Sequence, residues 1–172
     1  MPVISGIIKN MKKLIFPKLS SSLEIIVDSN FEELESFRIN DLKREIDLVD
    51  SIWSDGKVTS SLLQGSSIDK TTFENLVFEK CDLANTQVLE TSIHQVLFRN
   101  CRFTGLIAQD SIIENATFEK CKINLASWSG CKMKNIVFEE CDLTEIDFLN
   151  CELENIEFND CILTDGKMLE SK

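Results

Sequence analysis

From Leu63 onward, every fifth residue of this chain is apolar, in a register that does not slip. A period of five fits neither a strand, whose side chains alternate, nor a helix, whose faces recur every 3.6 residues. Only Ala108 among these repeat centres is small. The centres are Leu63, Ile68, Phe73, Phe78, Leu83, Val88, Ile93, Phe98, Phe103, Ala108, Ile113, Phe118, Ile123, Trp128, Met133, Phe138, Leu143, Phe148, Leu153, Phe158, Leu163 and Met168.

Residue types also recur every twenty positions, which is four times the basic period. The octapeptides at 76–83, 96–103, 116–123, 136–143 and 156–163 each read apolar, any, Phe, polar, polar, Cys, any, apolar. A four-sided coil with five residues a side would stack residues twenty apart directly above one another. Such fixed-period self-similarity is typical of a solenoid.

Two stretches carry a resemblance to a known family. The repeat of the pentapeptide-repeat family is a small residue, Asp or Asn, Leu or Phe, and two polar residues, and Cys81-Asp82-Leu83 and Cys141-Asp142-Leu143 match it. The chain resembles this family over residues 61–168 and departs from it by preferring Cys in the small position. The resemblance implies an all-β fold, a right-handed quadrilateral parallel β-helix, and we expect about six coils.

We divide the chain into a basic N-terminal arm (1–20), a capping segment (21–45), the β-helix (46–168) and a tail (169–172). Residues 46–60 also admit an amphipathic helix over 40–53. We favour the solenoid register there because it joins the later repeats without a slip. The capping segment is expected to cover the first coil, whose edge would otherwise expose unpaired backbone groups.

The N-terminal arm carries four lysines and no acid. Lysines interrupt its apolar run and no small-residue cleavage site follows, which argues against a secretory signal. No stretch of the chain approaches a membrane span, so we expect a cytoplasmic protein. The arm is interpreted as loosely docked or disordered, with a short basic membrane anchor as the alternative.

The seven cysteines all fall in the small position of the repeat. An odd number without a secretion signal favours free buried thiols over disulfides. A linear column of thiols offers poor tetrahedral geometry, so we expect neither a metal nor a cofactor. The single histidine, His94, is predicted to point outward, and no phosphate-binding loop or nucleophile motif is present, which favours a non-catalytic protein.

Charge is unevenly placed in a chain of net charge −11. Residues 61–134 are neutral, whereas residues 135–172 carry eleven acids and two lysines. Leu89, Ile107, Leu125 and Leu149 are predicted to point outward or to lie at corners. A stripe of outward apolar residues, the acids of the later coils and the apolar centres of the last coil form the candidate interface: Val77, Leu97, Val137, Glu139, Glu140, Asp142, Leu163 and Met168.

These observations predict a non-catalytic solenoid that binds a protein partner, with no direct nucleic-acid contact because its acidic end repels phosphates. A weak homodimer through the last coil is expected, since an uncovered edge invites pairing. The family resemblance implies an alternative. Some of its members mimic duplex DNA, bind type II topoisomerases such as gyrase, and confer quinolone tolerance. Duplex DNA of similar length carries about 17 charges, which the neutral middle coils do not approach.

Overall fold

The computed structural model describes Pro17, Leu19, Glu24–Ile25 and residues 31–172. The basic arm predicted at 1–20 therefore lies outside the described residues, apart from Pro17 and Leu19. The described part contains strands and turns and no helix. The strands are β1 (Glu24–Ile25), β2 (Glu33–Glu35), β3 (Phe37–Asn40), β4 (Asp47–Val49), β5 (Ile52–Ser54), β6 (Lys57–Thr59), β7 (Ser67–Asp69), β8 (Thr72–Glu79), β9 (Gln87–Leu89), β10 (Ser92–Arg99), β11 (Ile107–Gln109), β12 (Ile112–Glu114), β13 (Thr117–Glu119), β14 (Ser127–Ser129), β15 (Lys132–Glu139), β16 (Asp147–Leu149), β17 (Glu152–Asn159) and β18 (Lys167–Leu169).

Each coil has four sides of five residues, and residues twenty apart pair in parallel. Phe78 lies beside Phe98, and Trp128 lies beside Phe148. We name the four sides by one coil: face 1 is 71–75, face 2 is 76–80, face 3 is 81–85 and face 4 is 86–90, each continued by the residues twenty apart. Faces 1 and 2 share an eleven-stranded sheet, face 4 is a seven-stranded sheet, and face 3 is joined by single bridges. The predicted parallel β-helix is confirmed, but it has about seven coils where about six were expected, because β2 and β3 form strands inside the predicted capping segment.

The corners between faces are made by residues with positive φ, which recur every five positions through most of the solenoid. Asn75, Asn85 and Asn115 occupy such corners, in the left-handed region that asparagine tolerates better than most residues. At the corner occupied by Gly105, a Cβ atom would lie 2.6 Å from the Asn85 side-chain oxygen of the preceding coil. The corner amides bond to the following coil; the Asn85 N–H, for example, donates to the Thr104 carbonyl at 2.9 Å.

The first coil begins earlier than the sequence register indicates. Strands β2 and β3, which lie inside the predicted capping segment, pair with β5 and β6 at an offset of 19 residues rather than 20. Strand β1 pairs along β3 and covers part of that first edge. Residues 47–49 and 52–54 are strands, so the alternative helix over 40–53 is wrong and the favoured solenoid register is confirmed there. The division at residue 45 between cap and β-helix stays a prediction.

The interior is filled by the repeat centres and by the small residues two positions before them. Phe118 stacks between Phe98 and Phe138, with ring centroids 4.9 Å and 5.0 Å apart. Both tryptophans, Trp53 and Trp128, are buried in this core, as predicted. Because one continuous core runs the length of the solenoid, its outer faces are held flat and in fixed register.

Candidate protein-interaction surface

Faces 1 to 3 carry charged side chains that pair from one coil to the next. Arg102 of face 3 binds Asp82 through two hydrogen bonds, of 2.9 Å and 2.6 Å. Exposed pairs of this kind each contribute about 0.2–1 kcal/mol. Much of the charge on these faces is thus engaged within the chain, as in Arg99–Glu119 on face 2 and Lys132–Glu152 and Lys134–Glu154 on face 1.

Two carboxyl groups have pKa values below their usual range. Partial burial opposes ionisation of Asp82, but hydrogen bonds from Arg102, the Ala84 amide and Gln64 outweigh it and lower the pKa. The pKa of Glu79 is lowered mainly by a hydrogen bond from Lys57, at 2.7 Å. Both groups are therefore charged at neutral pH and hold neighbouring coils together.

The apolar stripe predicted on face 2 is not exposed. Val77 is half-buried, whereas Leu97 and Val137 are only 5% and 1% exposed to solvent. Neither Leu97 nor Val137 belongs to the interior cluster, because both side chains point away from it. The prediction that the stripe is exposed is therefore wrong for Leu97 and Val137.

The structure does not bring the predicted acids into one site. Glu139 lies on face 2 and accepts a hydrogen bond from Asn159, and Glu140 at the adjoining corner lies 3.6 Å from Lys120. Asp142 lies on face 3, where it accepts hydrogen bonds from the amide and hydroxyl of Thr144. Each carboxylate has a local partner, so the three do not form a catalytic pair.

The remaining predicted residues occupy ordinary positions in the solenoid. Leu163 and Met168 are half-buried and pack against the core of the last coils. The imidazole Nδ1 of His94 lies 3.7 Å from Glu114 on face 1. Among the described residues, no cluster of His, Cys, Asp or Glu is arranged to hold a metal ion. Within the same residues, no helix has the length and apolar character needed to cross a bilayer.

Five of the seven cysteines stack in one column of face 3, and all seven are free. The Cys101 thiol donates to the Phe78 carbonyl at 3.5 Å, and the other members of the column make equivalent bonds. The neighbouring Cys121 thiol and burial together raise the pKa of Cys101 to about 12. Cys81, Cys101, Cys121 and Cys141 are buried and pack as small hydrophobes, whereas Cys161 at the end of the column is half-buried.

Face 4 carries a further candidate surface that was not predicted from the sequence. In its middle coils the outward side chains of the strands are uncharged, and Leu89 and Ile107 are exposed, whereas the acids Glu90 and Asp110 are exposed at the corner with face 1. Asp69 and Asp147 bound this surface at its two ends. We call it the neutral patch, and it consists of Gln87, Leu89, Ile107, Gln109, Ser127 and Ser129 together with Leu125 at the adjoining corner of face 3.

Leu125 stands out within the neutral patch. It occupies a corner with φ of 59°, and it is the one apolar side chain among the described non-glycine residues with positive φ. Asn85 and Gly105 fill the same corner in preceding coils and suit this conformation better. The Leu125 side chain is 52% exposed, so packing does not require leucine at this corner.

Comparison with solved structures finds resemblance at low identity. QnrB1, a plasmid-mediated fluoroquinolone resistance protein, matches at 16% identity with a TM-score of 0.32, covering 84% of this chain and 86% of the other. Rfr23, a pentapeptide repeat protein of the cyanobacterium Cyanothece 51142, matches at 10% with a TM-score of 0.37, covering 67% and 89%. A glycosyl hydrolase assigned provisionally in Parabacteroides merdae matches at 11% with a TM-score of 0.39, covering 72% and 83%.

Comparison with curated proteins finds no match. The family model of the pentapeptide repeat region matches residues 51–128 and 114–172, which together exceed half of the chain. This match agrees with the five-residue faces, the left-handed corners and the parallel stacking of the solenoid. The chain belongs to the pentapeptide-repeat family.

Proposed function

We propose that this protein is a non-catalytic solenoid that binds a protein partner through the neutral patch of face 4. The observation that carries the proposal is the absence of charge from the exposed side chains of β9, β11 and β14. The centres of protein interfaces are depleted of charged residues, and contiguous exposed apolar area marks interaction sites. Leu89, Ile107 and Leu125 supply that apolar area.

The geometry of face 4 suits a flat partner surface. Its seven strands rise about 29 Å at the inter-strand spacing. The neutral patch occupies the middle of this height, and charged residues such as Asp69 and Asp147 lie at the margins. An uncharged centre with a charged rim is the usual anatomy of an interface.

The proposal that the protein lacks catalysis rests on where its carboxylates lie. Glu114 and Glu139 are on flat outer faces, whereas acid–base chemistry needs paired groups in a cleft. Their nearest partners in the described residues are His94 and Asn159.

The test compares variants of the full chain that change the patch without changing the core. Leu125→Asn replaces an exposed leucine with a residue better suited to its left-handed corner, so the fold should be retained or slightly stabilised. Ile107→Gln removes a second apolar side chain, and Ile112→Gln on face 1 is the matched control because Ile112 is similarly exposed.

Each variant is immobilised, and proteins captured from cells of the source organism are quantified by mass spectrometry. The proposal expects a protein retained by the wild type and by Ile112→Gln, and reduced about tenfold by Leu125→Asn and Ile107→Gln, as for truncation of an interface hot spot. Titration of the purified partner against the same variants then gives the change in Kd. Equal retention by all four proteins would contradict the assignment of the patch.

A second candidate function is binding of a type II topoisomerase by mimicry of duplex DNA. It is favoured by the acidic character of the last two coils, since residues 135–172 contain eleven acidic residues and only two lysines. Purified protein is added to a gyrase supercoiling assay beside the triple variant Glu139→Gln, Glu140→Gln, Asp142→Asn. Inhibition by the wild type that the triple variant weakens supports mimicry, and no inhibition by either protein at micromolar concentration removes this candidate.

We also propose a cytoplasmic location and a weak homodimer through the last coil. Leu163 and Met168 would lie at the centre of the dimer, and repulsion between the acidic coils would make it tighter at high salt. Sedimentation at low and high salt tests this, and a monomer under both conditions at high protein concentration would exclude it.

A further inference from the structure

The cysteine column of face 3 becomes accessible at one end. Its first four members are buried, whereas Cys161 in the last coil is half-buried. Cys141 lies directly beneath Cys161, because residues 142 and 162 form a parallel bridge and the Ile162 N–H donates to the Cys141 carbonyl at 2.9 Å. Cys141 and Cys161 are therefore the pair of stacked thiols that a small ion can reach from solvent.

The two sulfur atoms occupy equivalent positions in successive coils. The Cys141 Sγ lies 3.2 Å from the Phe118 carbonyl oxygen, and the Cys161 Sγ lies 3.4 Å from that of Phe138, twenty residues later. Each sulfur also lies 3.4 Å or less from the carbonyl oxygen two residues before it. Because both thiols are oriented in the same way against stacked carbonyls, the sulfurs are separated by the inter-strand spacing of about 4.8 Å.

This spacing suits two metal–sulfur bonds in line better than it suits a disulfide. A bond between a thiolate and a d10 ion such as zinc is about 2.3 Å long, so two such bonds in line span about 4.6 Å. A disulfide needs Cβ atoms about 3.8 Å apart. Side chains stacked in one orientation keep their Cβ atoms about 4.8 Å apart. A disulfide would thus require the two coils to approach each other, whereas an ion with two ligands would not.

The number and the softness of the ligands define the class of ion. Among the residues that the structure describes, no group of three or more His, Cys, Asp or Glu side chains is placed to hold a metal ion. Zinc in structural sites takes four ligands in a tetrahedron, which a column of thiols does not supply. Thiolates select soft ions such as Cu(I). Cu(I) is stable with two sulfur ligands in line, so it fits a stacked pair.

The surroundings of the pair favour a cation and the thiolates that bind it. The Cys121 N–H donates to the Cys141 Sγ at 3.4 Å, and a hydrogen bond of this kind stabilises the charged form of the sulfur. Asp160, at the corner directly before Cys161, is exposed. Residues 135–172 contain eleven acidic residues and two lysines. Such an acidic surface raises the local concentration of cations.

We propose that Cys141 and Cys161 bind one Cu(I) ion between the last two coils of the solenoid. Each sulfur–copper bond replaces an S–H bond, two protons pass to the solvent, and no electron is transferred. The hydrogen bonds that the two thiols give up are weak. The ion joins the two coils, so it stabilises this end of the solenoid to a degree that grows with its free concentration.

Competition with a chromophoric chelator tests this on the reduced full chain under nitrogen. Cu(I) is supplied as its bicinchoninate complex, and the loss of absorbance gives the number of ions transferred and their Kd. We expect one ion per chain. Its affinity should fall by at least about a hundredfold in Cys141→Ser and in Cys161→Ser, more than the loss of an outer-shell partner costs. Cys81→Ser, the matched control in the same column, should keep the wild-type affinity, and the buried Ser61 shows that serine fits this column.

Protection of Cys161 gives a second readout that needs no variant. One equivalent of Cu(I) should abolish the reaction of iodoacetamide with Cys161 in the folded protein, because the sulfur is then bonded to the metal. One equivalent of Zn(II) should leave that reaction unchanged. X-ray absorption at the copper edge should show two sulfur neighbours.

Four results would overturn the proposal. The wild type could take no Cu(I) from the chelator, or Cys161→Ser could hold the ion as tightly as the wild type. Protection of Cys161 by Zn(II) equal to that by Cu(I) would mean that the site is not specific for an ion with two ligands. Transfer of several ions that no single substitution reduces would assign the binding to the thiols in general and not to this pair.

Discussion

In the interior, Trp128 lies beside Ala108 of the preceding coil, because strands β14 and β11 pair with each other. The largest and the smallest repeat centres are thus neighbours in one column of face 4. A cavity of about 50 Å³ extends through this part of the interior, with an apolar lining that reaches from Ile68 to Trp128 and includes Ala108. Ala108 is the smallest repeat centre in that lining, so it is the position at which added volume can enter the cavity.

Filling this cavity should stabilise the protein. Ala108→Val is expected to raise the free energy of unfolding by about 1 kcal/mol, which is usual for cavity-filling substitutions. Ala116→Val is the matched control, because Ala116 is fully buried in the small position of face 2. Overpacking there should lower the free energy of unfolding by about 1–3 kcal/mol. Urea unfolding followed by circular dichroism measures both, and changes of the same sign would contradict the location of the cavity.

The indole N–H groups of Trp53 and Trp128 should contribute differently to the free energy of unfolding. The Trp53 Nε1–H donates to the Phe31 carbonyl at 2.7 Å, whereas the buried Trp128 Nε1–H has no acceptor among the described residues. Trp128→Phe removes an unsatisfied donor while losing apolar contact, so we expect a change within about 1 kcal/mol. Trp53→Phe loses a hydrogen bond as well as contact, and should cost about 2 kcal/mol or more. Equal losses in urea unfolding would contradict this difference.

The solenoid could be predicted from the sequence because the five-residue register runs unbroken from Leu63 to Met168. The repeat pattern did not reveal that β2 and β3 belong to the first coil, because one side of that coil is one residue shorter than the other sides. Positive φ occurs at Ser36, Asp41, Asp50 and Asp55, so the spacing of five is broken once. A sequence register that begins at Leu63 is therefore displaced relative to β2 and β3.

The surfaces were harder to predict than the core. The neutral patch combines residues from successive coils, and its lack of charge becomes visible only when the strands β9, β11 and β14 are paired side by side. The repeat correctly predicts that Leu97 and Val137 point outward. It does not predict that both are buried, because the repeat register fixes the direction of a side chain and not its exposure.

Native thiol labelling should single out one cysteine. Six of the seven cysteines are buried, while Cys161 in the last coil is half-buried. Access of the reagent to the sulfur decides the order, because a hydrogen bond with Cys141 and partial burial raise the pKa of the Cys161 thiol as well. Iodoacetamide at pH 8 should modify Cys161 first, and all seven cysteines after unfolding. Cys161→Ser should abolish the fast native labelling, and rapid modification of several cysteines in the folded protein would show that the columns are open to solvent.

The hydrogen bonds at Asp82 should make part of the stability dependent on pH. Asp82 accepts from Arg102, Gln64 and the Ala84 amide, whereas Asp142 in the same column has only Thr144. Asp82→Ala should therefore cost about 1 kcal/mol at pH 7, the upper end of the range for an exposed ion pair, and Asp142→Ala should cost less. The folded-state pKa of Asp82 is lowered. Its contribution is thus complete above the unfolded pKa of about 3.9 and is lost as pH falls through the folded value. Urea unfolding at pH 7 and below pH 4 tests this: the difference between wild type and Asp82→Ala should shrink at the lower pH. A constant difference would mean that Asp82 stabilises the coil independently of its charge.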